Sequence, residues 1–419
     1  MDRFRVVGPN RLEGRIRAAG AKNAALPALA ATLLADAPVV LRGVPQVADI
    51  RTMRRLLAHD GVASAERDGA LELEPSTGKA ADEAPYELVK TMRASVLVLG
   101  PLVASRGHAR VSLPGGCAIG VRPIDQHLAG LEALGATVEL TQGYVEARAD
   151  RLIGARFAFA VPTVTGTENV MMAATLARGT TVLENCAREP EVADLARLLV
   201  AMGATIEGAG EERITIEGVD RLGGADHTVL PDRIEGGTYL IAAAITAGDV
   251  TVDNLRAGDL GPLLEKLQSC GATVEAGADW IRVRRDGELV PRDIVTAPHP
   301  GFPTDLQAQY MALMTQASGH AAICETVFEN RFQHVPELAR MGASIVVEGN
   351  LARVTGPTPL SGARVMATDL RASACLVLAG LVASGETVID RIYHLDRGYE
   401  AMDRKLQSLG GRVERIAGA

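Results

Sequence analysis

Apolar and polar positions along this chain follow a pattern that recurs six times. In each unit, a helix of small and almost uniformly apolar residues precedes a short apolar strand, and a helix with one apolar face follows. A helix that is apolar all round belongs inside a domain, whereas a one-sided helix covers a surface. A glycine follows each one-sided helix, namely Gly61, Gly135, Gly203, Gly271, Gly342 and Gly410. Such self-similarity predicts one structural unit used six times.

Local signals predict the remaining elements of the unit. Strands start at Val39, Val111, Thr181, Val250, Ala322 and Thr387. Five buried helices are expected to end at a left-handed glycine, the usual stop signal, at Gly107, Gly179, Gly248, Gly319 and Gly385. A strand hairpin is expected at a Leu-x-Gly signal, which occurs at Leu152, Leu222 and Leu360. Strands that alternate with helices in this way indicate an α/β fold.

The last unit lacks a segment to close it, and a matching segment occurs at the start of the chain, from Val7 to Ile16. We therefore expect the N-terminal residues to join the C-terminal half. Three units then form each of two domains, residues 22–231, and residues 232–419 together with 1–21. Tandem stacking of the units in a solenoid is the alternative, and this end-to-end complementation disfavours it.

Composition narrows the class of protein. With 419 residues, 47% hydrophobic and 22% charged, the chain is a globular protein too long for one core. A net charge of −8 and only 3% aromatic residues argue against a nucleic-acid partner. The longest apolar stretches are too short to span a membrane. Five scattered cysteines and an N-terminus without an apolar leader predict a cytoplasmic location, and we expect neither a metal nor a cofactor.

The segment Leu113–His127 carries the most unusual chemistry of the chain. Cys117 follows two glycines and has Arg122, Asp125 and His127 within ten residues. A nearby guanidinium favours the thiolate, which is the reactive form of cysteine. The alternative is a small buried hydrophobe beside a turn, and His127 is equally compatible with a helix cap, a core residue or a ligand contact. The other cysteines, Cys186, Cys270, Cys324 and Cys375, are expected in the core.

Charged and polar residues recur where the buried helices begin. They are Lys22, Asn23, Arg93, Asp305 and Arg371. Helix N-termini attract anions, so cations placed there suggest a bound anion. Helix capping is the alternative, and it accounts for Asp305 and for Asp369.

A second set of polar residues precedes the one-sided helices. It comprises Arg122, Arg188, Asn330, Arg331 and Arg397. Each arginine taken singly is compatible with a solvated surface charge, but their shared position in the unit argues for one site.

Several motifs together resemble the enolpyruvyl transferase family, most closely its members that act on UDP-N-acetylglucosamine. They are GAKNAALP from Gly20, KTMRAS from Lys90, LPGGCAIGVRPID from Leu113, LPDRIE from Leu230, FPTDLQAQ from Phe302, TVFENRF from Thr326, and ATDLRAS and DRGYE further on. The resemblance spans the chain. It implies a two-domain inverted α/β barrel of six βαβαββ repeats, with the active site in the cleft between the domains.

The resemblance also implies a reaction. The enolpyruvyl group of phosphoenolpyruvate would pass to the 3'-hydroxyl of UDP-N-acetylglucosamine by addition and elimination, with release of phosphate, as the first committed step of peptidoglycan synthesis. By similarity, Cys117 protonates C3 of phosphoenolpyruvate, and the epoxide phosphonate fosfomycin should alkylate it. Asp305 acts as the base.

Binding roles follow from the same resemblance. Phosphoenolpyruvate would be bound by Lys22, Asn23, Arg122 and Arg397. The sugar nucleotide would contact Arg93, Arg122, Pro123, Ile124, Asp125, Gln126, Thr163, Val164, Asp305, Val327 and Arg331. Asp369 and Arg371 would lie near the reacting centre. The chain departs from many relatives at Val161, where they have a lysine, and this puts contacts from that loop to the nucleotide in doubt.

Two other functions remain open at this point. An enzyme acting on shikimate 3-phosphate shares the fold and the enolpyruvyl chemistry but lacks the Gly-Gly-Cys loop. A catalytically silent relative that binds a UDP-sugar as a regulator has no need to keep Cys117, Asp305, Lys22 and Arg397 together.

Overall fold

The computed structural model describes residues 1–75, 83–90, 92–113 and 124–418. These residues form two compact units, one of residues 20–230 and one of residues 231–418 with 1–19. We name them the 20–230 unit and the 231–418 unit. The chain crosses between the units at residues 19–20 and 230–231, which is one or two residues before the expected boundaries. Backbone hydrogen bonds explain the difference, because Ala21 N–H donates to the Leu230 carbonyl at 2.7 Å in one unit and Asp232 N–H to the Ala19 carbonyl at 2.8 Å in the other.

Each unit contains three four-stranded sheets among its described residues, and every sheet has one parallel and two antiparallel strand pairs. In the 20–230 unit the sheets, in spatial order, are Ala225–Thr228, Val39–Arg42, Ala70–Glu74, Ala63–Arg67; Glu83–Ala84, His108–Ser112, Tyr144–Arg148, Thr137–Thr141; and Arg156–Ala158, Thr180–Glu184, Arg213–Glu217, Thr205–Glu207. In the 231–418 unit they are Glu13–Arg17, Asp249–Asp253, Trp280–Arg284, Thr273–Ala276; Ile294–Val295, Gly319–Cys324, Leu351–Gly356, Ser344–Glu348; and Arg364–Met366, Gly385–Asp390, Arg3–Gly8, Val413–Ile416. The predicted α/β class with its sixfold repeat is confirmed.

The N-terminal strands belong to the sheets of the 231–418 unit. Arg3–Gly8 pairs antiparallel with both Val413–Ile416 and Gly385–Asp390, so it takes the place of the missing strand of the last repeat. Glu13–Arg17 pairs parallel with Asp249–Asp253.

Helices of two kinds alternate between these strands. The buried helices are Lys22–Ala31, Leu99–Arg106, Val164–Ala174, Arg233–Ile245, Gln307–Met314 and Leu370–Val382. The one-sided helices are Ala48–His59, Asp125–Ala133, Pro190–Ala201, Gly261–Ser269, Val335–Arg340 and Met402–Ser408. The remaining turns are the α-helical Tyr86–Val89 and the 3₁₀ segments Thr32–Leu34, Arg93–Val98, Ala257–Asp259, Thr304–Leu306 and Ile392–Arg397. All six repeat glycines adopt a positive φ, between 87° and 110°, which explains why glycine recurs there.

The predicted glycine stops of the buried helices are wrong except at Gly107, which directly follows its helix with φ 75°. The other helices end earlier, and Gly248 has no positive φ, because Ala247 takes the left-handed conformation instead. Threonines account for several of these ends. The hydroxyls of Thr175, Thr246 and Thr315 each donate at 2.7 Å to a carbonyl of the preceding turn. Each of these carbonyls also accepts from the backbone N–H of the same threonine, at 3.2–3.3 Å, so the hydroxyl competes with the backbone for the carbonyl at the end of the helix.

The predicted Leu-x-Gly hairpins are also wrong. Each Leu-x-Gly leads into an edge strand that pairs parallel with its neighbour, and the hairpins are instead the consecutive antiparallel strands after the repeat glycines. The leucine of each signal is buried. The glycine is needed because the backbones touch: a Cβ at Gly154, Gly224 or Gly362 would lie 2.1–2.4 Å from the carbonyl oxygen of a neighbouring strand or loop.

The buried helices form the centre of a separate apolar core in each unit. In the part of the chain that the structure describes, no helix combines the length and apolar character needed to cross a membrane.

Candidate active site

Three charged side chains meet where the buried helix Gln307–Met314 begins. Asp305 lies in the 3₁₀ turn that precedes this helix, and its carboxylate accepts hydrogen bonds from Arg331 Nη2 at 2.6 Å and from Arg371 Nη2 at 2.9 Å. Arg331 precedes a one-sided helix, and Arg371 stands in the first turn of another buried helix. Both arginines are about 95% buried, at 5% and 4% exposure. Residues from three separate segments thus form one charged cluster, which we name the Asp305 cluster.

Opposing effects act on the pKa of Asp305. Burial by itself raises the pKa of this carboxyl, but the charges and hydrogen bonds of Arg371 and Arg331 outweigh it and hold the pKa well below the usual range. Asp305 is therefore ionised at neutral pH. Conversely, the Asp305 charge raises the pKa of Arg371 against the effect of burial.

The capping alternative holds for Asp369 but not for Asp305. Asp369 is the N-cap of Leu370–Val382, and its Oδ1 accepts from the backbone N–H groups of Arg371 at 2.8 Å and Ala372 at 3.1 Å. Asp305 accepts no capping bond from the helix that follows it, because its oxygens face the two guanidinium groups. Asp305 is thus available for chemistry in a way that Asp369 is not.

Two further predicted residues lie in the 231–418 unit. Arg397 is half-buried at the end of the turn Ile392–Arg397. After burial itself, the charge of Arg397 contributes to lowering the pKa of His394. Val327 lies in a turn, and its backbone N–H donates at 2.8 Å to the carboxylate of Glu325.

Two predicted phosphoenolpyruvate ligands, Lys22 and Asn23, and the predicted nucleotide contact Arg93 begin helical segments of the 20–230 unit. Lys22 is the first residue of its helix and is 9% exposed, and Asn23 follows it. Lys22 Nζ lies 3.3 Å from Oδ2 of Asp49, which is 4% exposed. Arg93 is the first residue of the turn Arg93–Val98 and is half-buried.

These contacts weaken the argument that cations at helix N-termini require a bound anion. Asp49 is a carboxylate partner of Lys22, and Asp305 is one of Arg371. The protein thus supplies negative charge to both cations. Arg188 lies on the surface: its side chain is 42% exposed, and Nη1 lies 3.9 Å from Glu212 Oε1. This agrees with the alternative that Arg188 is a solvated surface charge.

The structure brings several predicted nucleotide contacts together. Gln126 Oε1 accepts from the backbone N–H of Ala160 at 2.8 Å, which ties the 160–164 segment to the helix Asp125–Ala133. Thr163 caps the next buried helix, Val164–Ala174, by accepting from the Gly166 N–H at 3.3 Å. Asp125 is exposed, and Val161, where many relatives have lysine, is 60% exposed.

Part of the predicted site lies outside the described residues. This applies to Cys117, Arg122 and Pro123. Ile124 is described and is 9% exposed. In the described part of the chain, no group of three His, Cys, Asp or Glu side chains is placed to hold a metal ion.

Among the open possibilities for His127, the structure supports a core residue. His127 is 3% exposed. Asn169 accepts the Gly100 N–H through Oδ1 at 2.8 Å, so its amide nitrogen donates to His127 Nδ1 at 3.0 Å. The ring proton then sits on Nε2, 3.3 Å from the Thr165 hydroxyl. Burial, and secondarily the charge of Arg93, lower the pKa of His127 to about 4.

This neutral histidine predicts a loss of stability in acid. The unfolded chain takes up the proton near pH 6.5, whereas folded His127 resists it until about pH 4. Its contribution to the free energy of unfolding is therefore complete above pH 6.5 and falls by about 3 kcal/mol as the pH drops to 4. His127→Gln keeps one acceptor and one donor without titrating, so denaturant unfolding at pH 7 and pH 4.5 should show a smaller acid loss for this variant. His334, whose pKa burial also lowers to about 4, accounts for a remaining part.

The control for this prediction is His59→Gln, because His59 is exposed at the end of its helix. It should lose as much stability in acid as the wild type. If His127→Gln behaves like this control, the neutral core histidine is not a source of the acid loss.

The cysteines expected in the core are buried at Cys186, Cys270 and Cys375, whereas Cys324 is half-buried. Burial raises the pKa of Cys186 to about 12 and also raises those of Cys270 and Cys375. These three thiols are therefore poor nucleophiles at neutral pH.

Sequence reasoning missed the partners that hold the site residues. Asp49, Thr304 and Glu325 each contact a predicted site residue in the structure. Thr304 lies within the FPTDLQAQ motif and Glu325 directly precedes TVFENRF, so their position beside the motifs was a usable signal.

Comparisons with known proteins identify relatives of this chain. A family model described as EPSP synthase (3-phosphoshikimate 1-carboxyvinyltransferase) matches residues 6–406. A UDP-N-acetylglucosamine 1-carboxyvinyltransferase of Koribacter versatilis (strain Ellin345) is 56% identical over 428 residues, covering 99% of this chain and 97% of the relative. The enolpyruvyl transferase NikO from Streptomyces tendae superimposes with a TM-score of 0.90 at 27% identity, covering 100% of this chain and 99% of NikO. EPSP synthase from Acinetobacter baumannii shares the fold, with a TM-score of 0.77 at 18% identity over the full length of both chains.

Proposed function

The chain belongs to the EPSP synthase family of enolpyruvyl transferases, and from this premise we propose that it transfers the enolpyruvyl group of phosphoenolpyruvate to the 3'-hydroxyl of UDP-N-acetylglucosamine. The observation that carries the proposal is the Asp305 cluster, an ionised carboxylate held between two buried arginines. Such a transfer needs a carboxylate that can take a proton and cations that can bind anionic substrates. The relative that is 56% identical bears the name of this acceptor reaction, which favours UDP-N-acetylglucosamine over other acceptors.

The reaction consists of an addition and an elimination. The oxygen of the sugar hydroxyl bonds to C2 of phosphoenolpyruvate while C3 gains a proton, and the hydroxyl proton passes to a base. In the elimination, C3 loses a proton and the C2–O bond to phosphate breaks, which restores the double bond and releases inorganic phosphate. Asp305 takes the hydroxyl proton, releases it to solvent and later takes the C3 proton, whereas Cys117 supplies the proton to C3 and regains one from solvent. Each group thus acts as an acid or a base in a defined step.

The charges of the Asp305 cluster suit this role. Without substrate, Arg331 and Arg371 hold the pKa of Asp305 too low for an efficient base. The phosphates of the substrates are stronger attractors for guanidinium groups than a single carboxylate, since they present more oxygens and more charge. As Arg331 and Arg371 turn to these anions, Asp305 loses hydrogen bonds and its proton affinity rises. Substrate binding therefore activates the base.

The remaining residues divide between the two substrates. Phosphoenolpyruvate is bound by Lys22, Asn23, Arg122 and Arg397. The sugar nucleotide is bound by Arg93, Arg122, Pro123, Ile124, Asp125, Gln126, Thr163, Val164, Asp305, Val327 and Arg331. Asp369 and Arg371 support the reacting centre. The product feeds peptidoglycan synthesis, and we place the enzyme in the cytoplasm.

Phosphate release with two acceptors tests the proposal. The protein is incubated with phosphoenolpyruvate and either UDP-N-acetylglucosamine or shikimate 3-phosphate, and inorganic phosphate and the enolpyruvyl product are quantified. We expect turnover with the sugar nucleotide and none with the shikimate ester. Turnover of the shikimate ester alone contradicts the proposed acceptor, and tight binding of the sugar nucleotide without any turnover indicates a regulatory protein instead.

A further inference from the structure

A buried carboxylate that no predicted role includes supports the Asp305 cluster. Glu325 is 3% exposed, and its two oxygens accept four hydrogen bonds. Oε1 accepts from the Thr296 hydroxyl at 2.7 Å and from the backbone N–H groups of Val327 at 2.8 Å and Phe328 at 3.2 Å. Oε2 accepts from the Thr304 hydroxyl at 2.7 Å. All four donors are neutral, so the charge of Glu325 serves to orient them.

The bond to Thr304 extends to the Asp305 cluster. Because the Thr304 hydroxyl donates its only proton to Glu325, it must accept from its other neighbour, which is Arg331 Nη1 at 3.0 Å. The other end of the same guanidinium, Nη2, donates to Asp305 at 2.6 Å. The direction of the Thr304 proton thus fixes the orientation of Arg331, and with it the contact of Arg331 with Asp305.

Glu325 supports Arg331 from a second side as well. The guanidinium of Arg331 lies over the ring of Phe328, 5.2 Å from its centroid. Phe328 belongs to the turn whose N–H groups converge on Glu325. The turn is fastened further by Thr296, whose hydroxyl donates to Glu325 and accepts from the Thr326 N–H at 2.9 Å. The same turn carries Val327, a proposed nucleotide contact.

We propose that Glu325 is a positioning residue for the sugar nucleotide and for the base: it orients Arg331 through Thr304 and fixes the turn that carries Val327. Glu325 touches no reacting atom in this account. The inference rests on the proposed function, since it assigns how the acceptor side of that reaction is held in place.

Glu325→Gln tests the positioning role, because the amide keeps the size of the side chain but replaces one acceptor by a donor. The amide nitrogen then faces either Thr304, which loosens Arg331, or the backbone N–H groups of the turn that carries Val327. We expect KM for UDP-N-acetylglucosamine to rise about tenfold, the change typical of one lost hydrogen bond to a charged group, with KM for phosphoenolpyruvate little changed. The acid limb of the kcat/KM profile should move to higher pH, because a weaker Arg331 contact raises the pKa of Asp305.

Thr304 supplies variants that separate positioning from folding. Thr304→Ser keeps the hydroxyl and should retain the wild-type constants within about twofold, whereas Thr304→Val should reproduce the effects of Glu325→Gln on KM and on the acid limb. The double variant Glu325→Gln/Thr304→Val should be little worse than either single variant, because both remove the same link. Glu337→Gln is the control, since Glu337 is a half-buried glutamate of this unit that accepts a backbone N–H, from Met366 at 2.9 Å, and has no proposed role.

The outcomes distinguish this inference from the proposed function. If the wild type turns over UDP-N-acetylglucosamine and both Glu325→Gln and Thr304→Val keep its KM values and acid limb, the positioning role is overturned alone. Fully additive effects in the double variant, or equal increases of both KM values, overturn it too, since they indicate independent or general structural damage. A wild type without turnover overturns the proposed function instead.

Discussion

Asp305→Asn is expected to lower kcat by about 10³-fold, within the range that a positioned general base contributes. Asparagine retains the shape of the side chain but cannot take the proton of the sugar hydroxyl. Because the reaction needs that proton removed in the addition and another removed from C3 in the elimination, both steps slow. Steady-state turnover at saturating phosphoenolpyruvate and UDP-N-acetylglucosamine measures the effect.

The same substitution should also lower the stability of the protein. Arg331 and Arg371 are almost completely buried, and asparagine offers an oxygen to one of them and an N–H group to the other. Removing one partner of a buried ion pair typically costs about 3–5 kcal/mol. Activity is therefore measured well below the melting temperature of the variant, which circular dichroism provides.

Asp253→Asn is the matched control for Asp305→Asn. Asp253 forms an equally close pair with Arg15, at 2.6 and 2.7 Å, in the same unit but at the surface. Surface pairs contribute little to stability, so this variant should keep both its rate and its melting temperature. An Asp305→Asn enzyme within tenfold of the wild-type kcat would show that another group is the base.

Cys117→Ser is expected to reduce turnover by at least about 10³-fold while leaving the affinity for UDP-N-acetylglucosamine nearly unchanged. A serine hydroxyl is a far weaker acid than a thiol, so C3 of phosphoenolpyruvate would not be protonated. Nothing in the proposed nucleotide site depends on the thiol. Calorimetric binding of the sugar nucleotide, together with phosphate release, separates the two effects.

Alkylation of the wild type offers an independent check on the same thiol. Fosfomycin mimics phosphoenolpyruvate and should modify Cys117, whereas the raised pKa values of Cys186, Cys270 and Cys375 keep these thiols unreactive. Cys324→Ser is the control, since Cys324 is half-buried and takes no part in the proposed reaction. Peptide mass spectrometry locates the adduct. An adduct on Cys186 or Cys375, or unchanged turnover in Cys117→Ser, contradicts the role of the loop thiol.

The fold could be read from the sequence to the extent that it depends on local patterns. The helices apolar all round, the strands after them and the repeat glycines all follow from side-chain burial and backbone sterics within a few residues. The helix ends were misjudged because threonine hydroxyls, as at Thr175, bond to carbonyls of the last helical turn before the glycine is reached. The Leu-x-Gly signal was misjudged because Gly154, Gly224 and Gly362 lie where two backbone segments approach each other closely. A local sequence pattern does not reveal such an approach.

The candidate site was harder to predict in its contacts than in its members. Family motifs located Asp305, Arg331 and Arg371, but only the folded chain shows that three segments 26 and 66 residues apart place these side chains in one cluster. The pairing of Lys22 with Asp49 is equally invisible in the sequence, and it removes one of the reasons for expecting an anion at that helix. Glu325 was overlooked because it stands outside the family motifs, and its contacts with the Thr304 hydroxyl and the Val327 N–H appear only in the folded chain.

The reaction run in D₂O tests the central claim most directly. In an addition–elimination, C3 of phosphoenolpyruvate gains a deuteron from the enzyme and solvent, and the later loss of a proton leaves part of that deuterium in the product. Mass spectrometry should therefore find enolpyruvyl-UDP-N-acetylglucosamine in an amount equal to the phosphate released, with part of it carrying deuterium on its vinyl carbon. Phosphate release without a UDP-sugar product, or a product free of deuterium, would contradict the account.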